Sequence, residues 1–144
     1  MLELKYKIDR VETLSHTFNI PEDYAEVKDN FNIMGETRIR VDADSDKNYV
    51  KVEVTINMDS YEKSTGDKVA SLFSLKTLTR FTINDLKQYF SANEELNREV
   101  LYHLTEIAVH HTRGMQVVYL LSTPLKSLLL PSIDVKKILS DKLE

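Results

Sequence analysis

The chain has no cysteine and, in 144 residues, only three glycines and three prolines. The missing thiols exclude disulfides, zinc–cysteine sites and thiol catalysis, and they fit a reducing compartment. So little Gly and Pro argues against long disordered tracts. No run of about 18 apolar residues occurs, so no membrane-spanning helix is expected. The N-terminal Met-Leu-Glu-Leu-Lys-Tyr-Lys alternates apolar and charged residues, unlike a signal peptide. A basic excess is also missing. Lys and Arg number 19 against 23 Asp and Glu, which gives a net charge of −4. Binding to phosphate backbones needs clustered cations, so neither nucleic acid nor a membrane is an expected partner. Gly35, Gly66 and Gly114 lie far apart and form no phosphate-binding loop. No Gly-x-Ser-x-Gly turn is present and His16 has no obvious nucleophile partner. The chain is expected to be no enzyme and to need no cofactor.

What is present is a composition ordinary for a soluble globular protein, 42% hydrophobic and 29% charged, in a length that suits one domain over 1–144, and a cytosolic protein is expected. Leu2, Leu4, Tyr6, Ile8, Leu14, Phe18 and Ile20 take even positions, and polar residues take most odd ones. Period two predicts a strand with one buried face, bent near 10–12. Residues 21–36 read as a crossing segment with Phe31, Ile33 and Met34 as apolar points. Alternation predicts further strands over 37–43, 49–58 and 69–83, joined by polar turns at 44–48 and 64–67. Short connections make the sheet antiparallel.

A long helix follows. Ser91-Ala92-Asn93-Glu94 fits a capping box, and Gly114 fits a left-handed stop. Leu96, Val100, Leu104, Ile107 and His111, with Leu101 and Ala108, form one apolar stripe. Tyr102 and Val109 fall nearly opposite, as if the back of the helix were covered by another subunit. Residues 115–121 are an apolar segment, which Ser122-Thr123-Pro124 breaks. Ser132 or Asp134 could cap a last helix near 133–142. The expected fold is α+β: a four-stranded antiparallel sheet, a long helix packed on one face, and a short C-terminal helix.

This order resembles the SecB protein-export chaperone family over nearly the whole chain. Thr112-Arg113-Gly114 and Leu129-Leu130-Pro131-Ser132-Ile133-Asp134-Val135 are similar to that family's Arg-Gly and its closing leucine–proline stretch. Arg10-Val11, and Leu72 through Phe81-Thr82-Ile83, also sit where the family has similar patterns. The resemblance implies a homotetramer, a dimer of dimers with sheets outside and long helices sandwiched between. It also implies a chaperone that holds unfolded polypeptide, a preprotein or an antitoxin, in apolar grooves without catalysis or ATP. Groove candidates are Phe31, Ile33 and Met34, then Met115, Val117, Tyr119 and Leu121, then Leu125, Leu128 and Leu130. Tyr102 and Val109 are the candidates for the oligomer interface.

Export members of the family dock the SecA motor through carboxylates on the outer sheet face. Ser15, Asn19 and Ser74 stand at the matching places here, and the chain ends at Asp141-Lys142-Leu143-Glu144 without those members' longer acidic tail. Motor docking is therefore not expected to carry over as client holding does. The second reading is an adaptor of the same fold that binds one specific partner.

Two metal patterns compete with ordinary packing. Asp42-x-Asp44-x-Asp46 with Glu53 at the twelfth place looks like a calcium loop. Lys47 stands where that loop needs Gly, and the flanks read as strands, so a solvated hairpin turn is expected. Glu99 with His103 and Glu106 with His110 are each four apart on the helix. Such pairs can ligate a metal, but surface ion pairing is the expected role.

Overall fold

The computed structural model describes residues 3–125 and 134–143. Its strands are β1 (Lys7–Phe18), β2 (Phe31–Asp44), β3 (Tyr49–Glu62) and β4 (Lys68–Thr82). A short helix, α1 (Tyr24–Val27), follows β1. The long helix is α2 (Arg98–Leu120), and α3 (Val135–Leu143) closes the chain. The strands form one antiparallel sheet in the order β1-β4-β3-β2.

The sheet buries one face. On β3 the alternating Val50, Val52, Val54, Ile56 and Met58 are all buried, as period two requires. Above them pack Val100, Leu104, Ala108 and Val109 of α2, with Val135 and Leu139 of α3, in one core. A second core forms around Tyr24, Met58, Phe73, Leu75, Leu120 and Leu125. A polar seam crosses the helix–sheet contact. Thr112 donates its hydroxyl to the Ala108 carbonyl at 2.8 Å and lies 2.7 Å from the Thr77 hydroxyl. Gln116 donates to the Met58 sulfur at 3.2 Å.

Several boundaries differ from the sequence reading. The 21–36 segment is no simple crossing. It turns through α1 and a short 3-10 turn, and β2 already begins at Phe31. Ile33 and Gly35 pair with Ser60 and Met58, so the strand gains a longer ladder. The helix start is also later than expected. Ser91 Oγ accepts from the amides of Asn93 and Glu95, within a turn. The cap of α2 is Asn97, whose side chain accepts from the amides of Glu99 and Val100.

Gly114 does not stop the helix. α2 runs on to Leu120. A glycine inside a helix costs only about 1 kcal/mol relative to alanine. Continuing the helix buries Gln116 and Leu120, which outweighs that cost. Asp134 does cap α3, accepting from the Lys137 amide at 3.1 Å.

β1 departs most from simple alternation. Its register against β4 shifts between Ile8 and Arg10 and again between Thr13 and Ser15. Asp9 and Leu14 are the extra residues of these two bulges, and Asp9 accepts a hydrogen bond from the Thr82 hydroxyl. Each bulge moves the following residues to the opposite face. Ile8, Val11, Thr13, His16 and Phe18 thus lie beside Phe81, Thr79, Thr77, Leu75 and Phe73, on the helix side of the sheet.

Candidate functional site

β1 pairs with β4 alone, and its far edge carries no described strand. Tyr6, Ile8, Val11, Leu14 and Phe18 of this region are exposed. The C-terminal half of α2 exposes Val117 and Val118, the latter at 67%, and Leu121 is exposed just beyond the helix. Isolated exposed apolar residues are ordinary, but a contiguous set marks a surface that something else covers.

Between these two elements lies an open groove of about 630 Å³. Val11 of β1 lines one side. His110, His111, Met115, Val118 and Tyr119 line the helix side, with Gly114 among them. The aromatic end is built from ring contacts. His16 stacks on Tyr119 at 4.6 Å, Phe18 packs on Phe73 at 5.2 Å, and the Tyr119 hydroxyl lies 3.1 Å from the Thr13 hydroxyl. His111 Nδ1 is buried with no hydrogen-bond partner among the described residues. The groove is thus mainly apolar, with few polar groups to impose one sequence on an occupant.

The residues named from sequence divide. Met115 and Tyr119 line the groove, and Val117 and Leu121 are exposed beside it. Ile33 packs on the second core on the same side of the sheet, and Phe31 is half-buried at the start of β2. Met34 alternates with Ile33 and faces the other side, where it is 60% exposed. Leu125 is completely buried in the second core, so it supports the fold. Leu128 and Leu130 lie outside the described residues.

The two helix positions also separate. Val109 is not on the back of α2 but in the first core, at 2% exposure. The core wraps more than one stripe of the helix, because α3 packs beside it along with the sheet. Tyr102 is half-buried against that core, with the Lys136 ammonium 5.8 Å from its ring.

Sequence reasoning missed Val11, His110, His111, Gly114 and Val118. A helix carried through Gly114 would have put 111, 114, 115, 118 and 119 on one flank. Assigning Val11 needed the first bulge. The metal patterns find structural uses instead. Asp44 accepts from the amides of Asp46 and Lys47, closing the hairpin turn, and the His103 ring packs on Tyr6 at 5.6 Å. Among the described residues no three His, Asp or Glu side chains gather as a metal site, and no helix is long and apolar enough to cross a membrane.

Neither a family model nor a curated protein matches the sequence. The structure is similar to a solved SecB-like chaperone of Mycobacterium tuberculosis in complex with a ChAD peptide from the HigA1 antitoxin. The TM-score is 0.62 and the identity 14%, over 90% of this chain and 91% of that one. A four-stranded antiparallel sheet, one long helix packed on it and a short C-terminal helix together give this chain the SecB-like fold.

Proposed function

We propose that the chain is a chaperone that holds unfolded polypeptide in the groove between β1 and α2, without catalysis. The observation that carries this reading is the groove itself. It is open, apolar, and continuous with the exposed Val117, Val118 and Leu121. An unfolded client presents apolar side chains in no fixed order. Burying them gains roughly 25 cal/mol per Å² of apolar surface. A protein that binds the unfolded state also holds it back from folding by mass action. The solved neighbour of the same fold carries an antitoxin peptide, which supports a polypeptide occupant, either an antitoxin-type client or a preprotein.

Self-association belongs to the same proposal. Among the described residues no strand pairs with the outer edge of β1, beside exposed Ile8 and Leu14, and such an edge invites pairing. A second copy is its occupant, in a homotetramer. Light scattering should give a mass near four times 16.7 kDa, and a monomer at all concentrations would remove this part.

The test of client holding is suppression of aggregation for several unrelated denatured proteins. Val118→Asp places a charge on an exposed groove residue and should abolish most of the suppression while leaving the thermal midpoint intact. If the unmodified chain suppresses none of them, the holding function is wrong and the adaptor reading takes its place.

A further inference from the structure

The opposite face of the sheet has a different character. Here Arg10 of β1, Arg80 of β4 and Lys51 of β3 stand directly opposite one another across three neighbouring strands. Neighbouring strands are about 4.8 Å apart, and like charges directly opposite destabilise a sheet. Glu12 offsets Arg10 with an ion pair at 2.8 Å, and Arg80 and Lys51 each lie 4.8 Å from the ring centre of Tyr49, which relieves part of the repulsion.

The positive charge continues along the strands. Glu53 is a single carboxylate between Arg40 at 3.8 Å and Lys76 at 3.6 Å, and the Arg40 side chain is 83% exposed. Arg38 follows on β2, beside Glu36. Three successive cross-strand rows thus hold six cations against Glu12, Glu53 and Asp42, in a chain whose net charge is −4. Among them is an open trough of about 440 Å³, where the hydroxyls of Ser15, Thr55 and Ser74 join the cations. The described helices bury their side chains with the other face.

We propose that this outer face is a second docking surface, and that it takes an acidic segment of a partner protein. Carboxylates placed near Arg80 and Lys51 would screen the repulsion between these two directly opposed cations. A polypeptide fits better than a nucleic acid. Glu12, Glu53 and Asp42 interleave with the cations and repel a backbone that is charged at every unit. A peptide can set neutral residues against those three positions and acidic ones against the rest. Because this face lies opposite the groove, a client and a partner can be held together. The proposal does not rest on the client-holding reading.

The test uses the full chain and a fluorescein-labelled peptide of about ten alternating glutamate and serine residues, long enough to cross the four strands. Anisotropy titration at low ionic strength should show binding that weakens as salt rises. Lys51→Thr with Arg80→Thr should weaken it at least about fivefold without lowering the thermal midpoint, since repulsion is removed. Arg10→Ser with Arg40→Ser, at exposed positions, should weaken it as well. Val118→Asp, in the groove, should leave it unchanged. The proposal is overturned by absence of binding, by unchanged affinity in both double variants, by loss of binding in Val118→Asp, or by tighter binding of single-stranded DNA of equal length.

Discussion

The imidazole of His16 on β1 lies 4.6 Å from the ring of Tyr119 on α2, and the two planes are 25° apart. This stack joins the edge strand of the sheet to the end of the long helix. Among the described residues β1 is hydrogen-bonded to one strand only, and side-chain contacts such as this one tie it to the helix. The same contact forms the aromatic end of the groove.

Tyr119 should therefore couple the stability of β1 to that of α2. Tyr119→Phe keeps the stack and loses the hydrogen bond to Thr13, so a loss of about 1 kcal/mol is expected. Tyr119→Ala removes the ring and should cost about 2 kcal/mol or more. Urea unfolding measures both. Hydrogen exchange should show the amides of β1 opening faster in Tyr119→Ala than those of β3, and equal changes in both strands would refute the coupling.

The polar seam makes an asymmetric prediction. Thr112 has one hydroxyl proton, which it gives to the Ala108 carbonyl, so Thr77 is the donor in the 2.7 Å contact between the two side chains. Thr77→Val leaves Thr112 still bonded to Ala108. Thr112→Val leaves the buried Thr77 hydroxyl without its acceptor and should cost more, about 1–3 kcal/mol. The double variant should be less destabilised than the two single losses added together. Strict additivity in unfolding measurements would mean that the two hydroxyls do not interact.

The sheet was readable in the sequence because β2, β3 and β4 bury one face and keep period two over most of their length. Even there, the β2 start at Phe31 was hidden, since Met34 and Glu36 face solvent and Gly35 looks like a terminator. β1 misled more seriously. Its even-numbered apolar residues suggest one face along a strand bent near 10–12, but two bulges bring Val11 and Thr13 to that face between Ile8 and Phe18. A bulge depends on the partner strand, and one strand's pattern does not encode it. The groove suffered twice from such errors. Val11 was lost to the bulge, and Val118 to the expectation that Gly114 ends the helix. Leu125 reads as a groove residue in the sequence because nothing local shows that the chain after α2 folds back into the second core.

Tyr24 supplies a pH dependence. It is 7% exposed, and burial raises its phenol above the ordinary value. The folded state therefore keeps the proton to a higher pH than the unfolded state does. The stability from this difference is complete below the unfolded value of about 10 and is lost as the pH rises through the raised folded value. Tyr24→Phe should lose less stability than the unmodified chain on going above about pH 10. Equal losses, followed by denaturant unfolding, would count against a buried phenol at this position.

Gly114 separates the stability of α2 from the proposed client holding. It lies inside α2, where glycine is about 0.5–1 kcal/mol worse than alanine. A Cβ built there meets nothing within 4 Å, so Gly114→Ala should raise stability by about that amount in urea unfolding. The residue also lines the groove with Met115 and Val118. The added methyl would occupy space that a client backbone could otherwise approach. Gly114→Ala should thus be more stable and yet suppress aggregation less well, and Gly114→Leu should do worse still. If both variants hold denatured clients as well as the unmodified chain, the client does not lie along this part of α2.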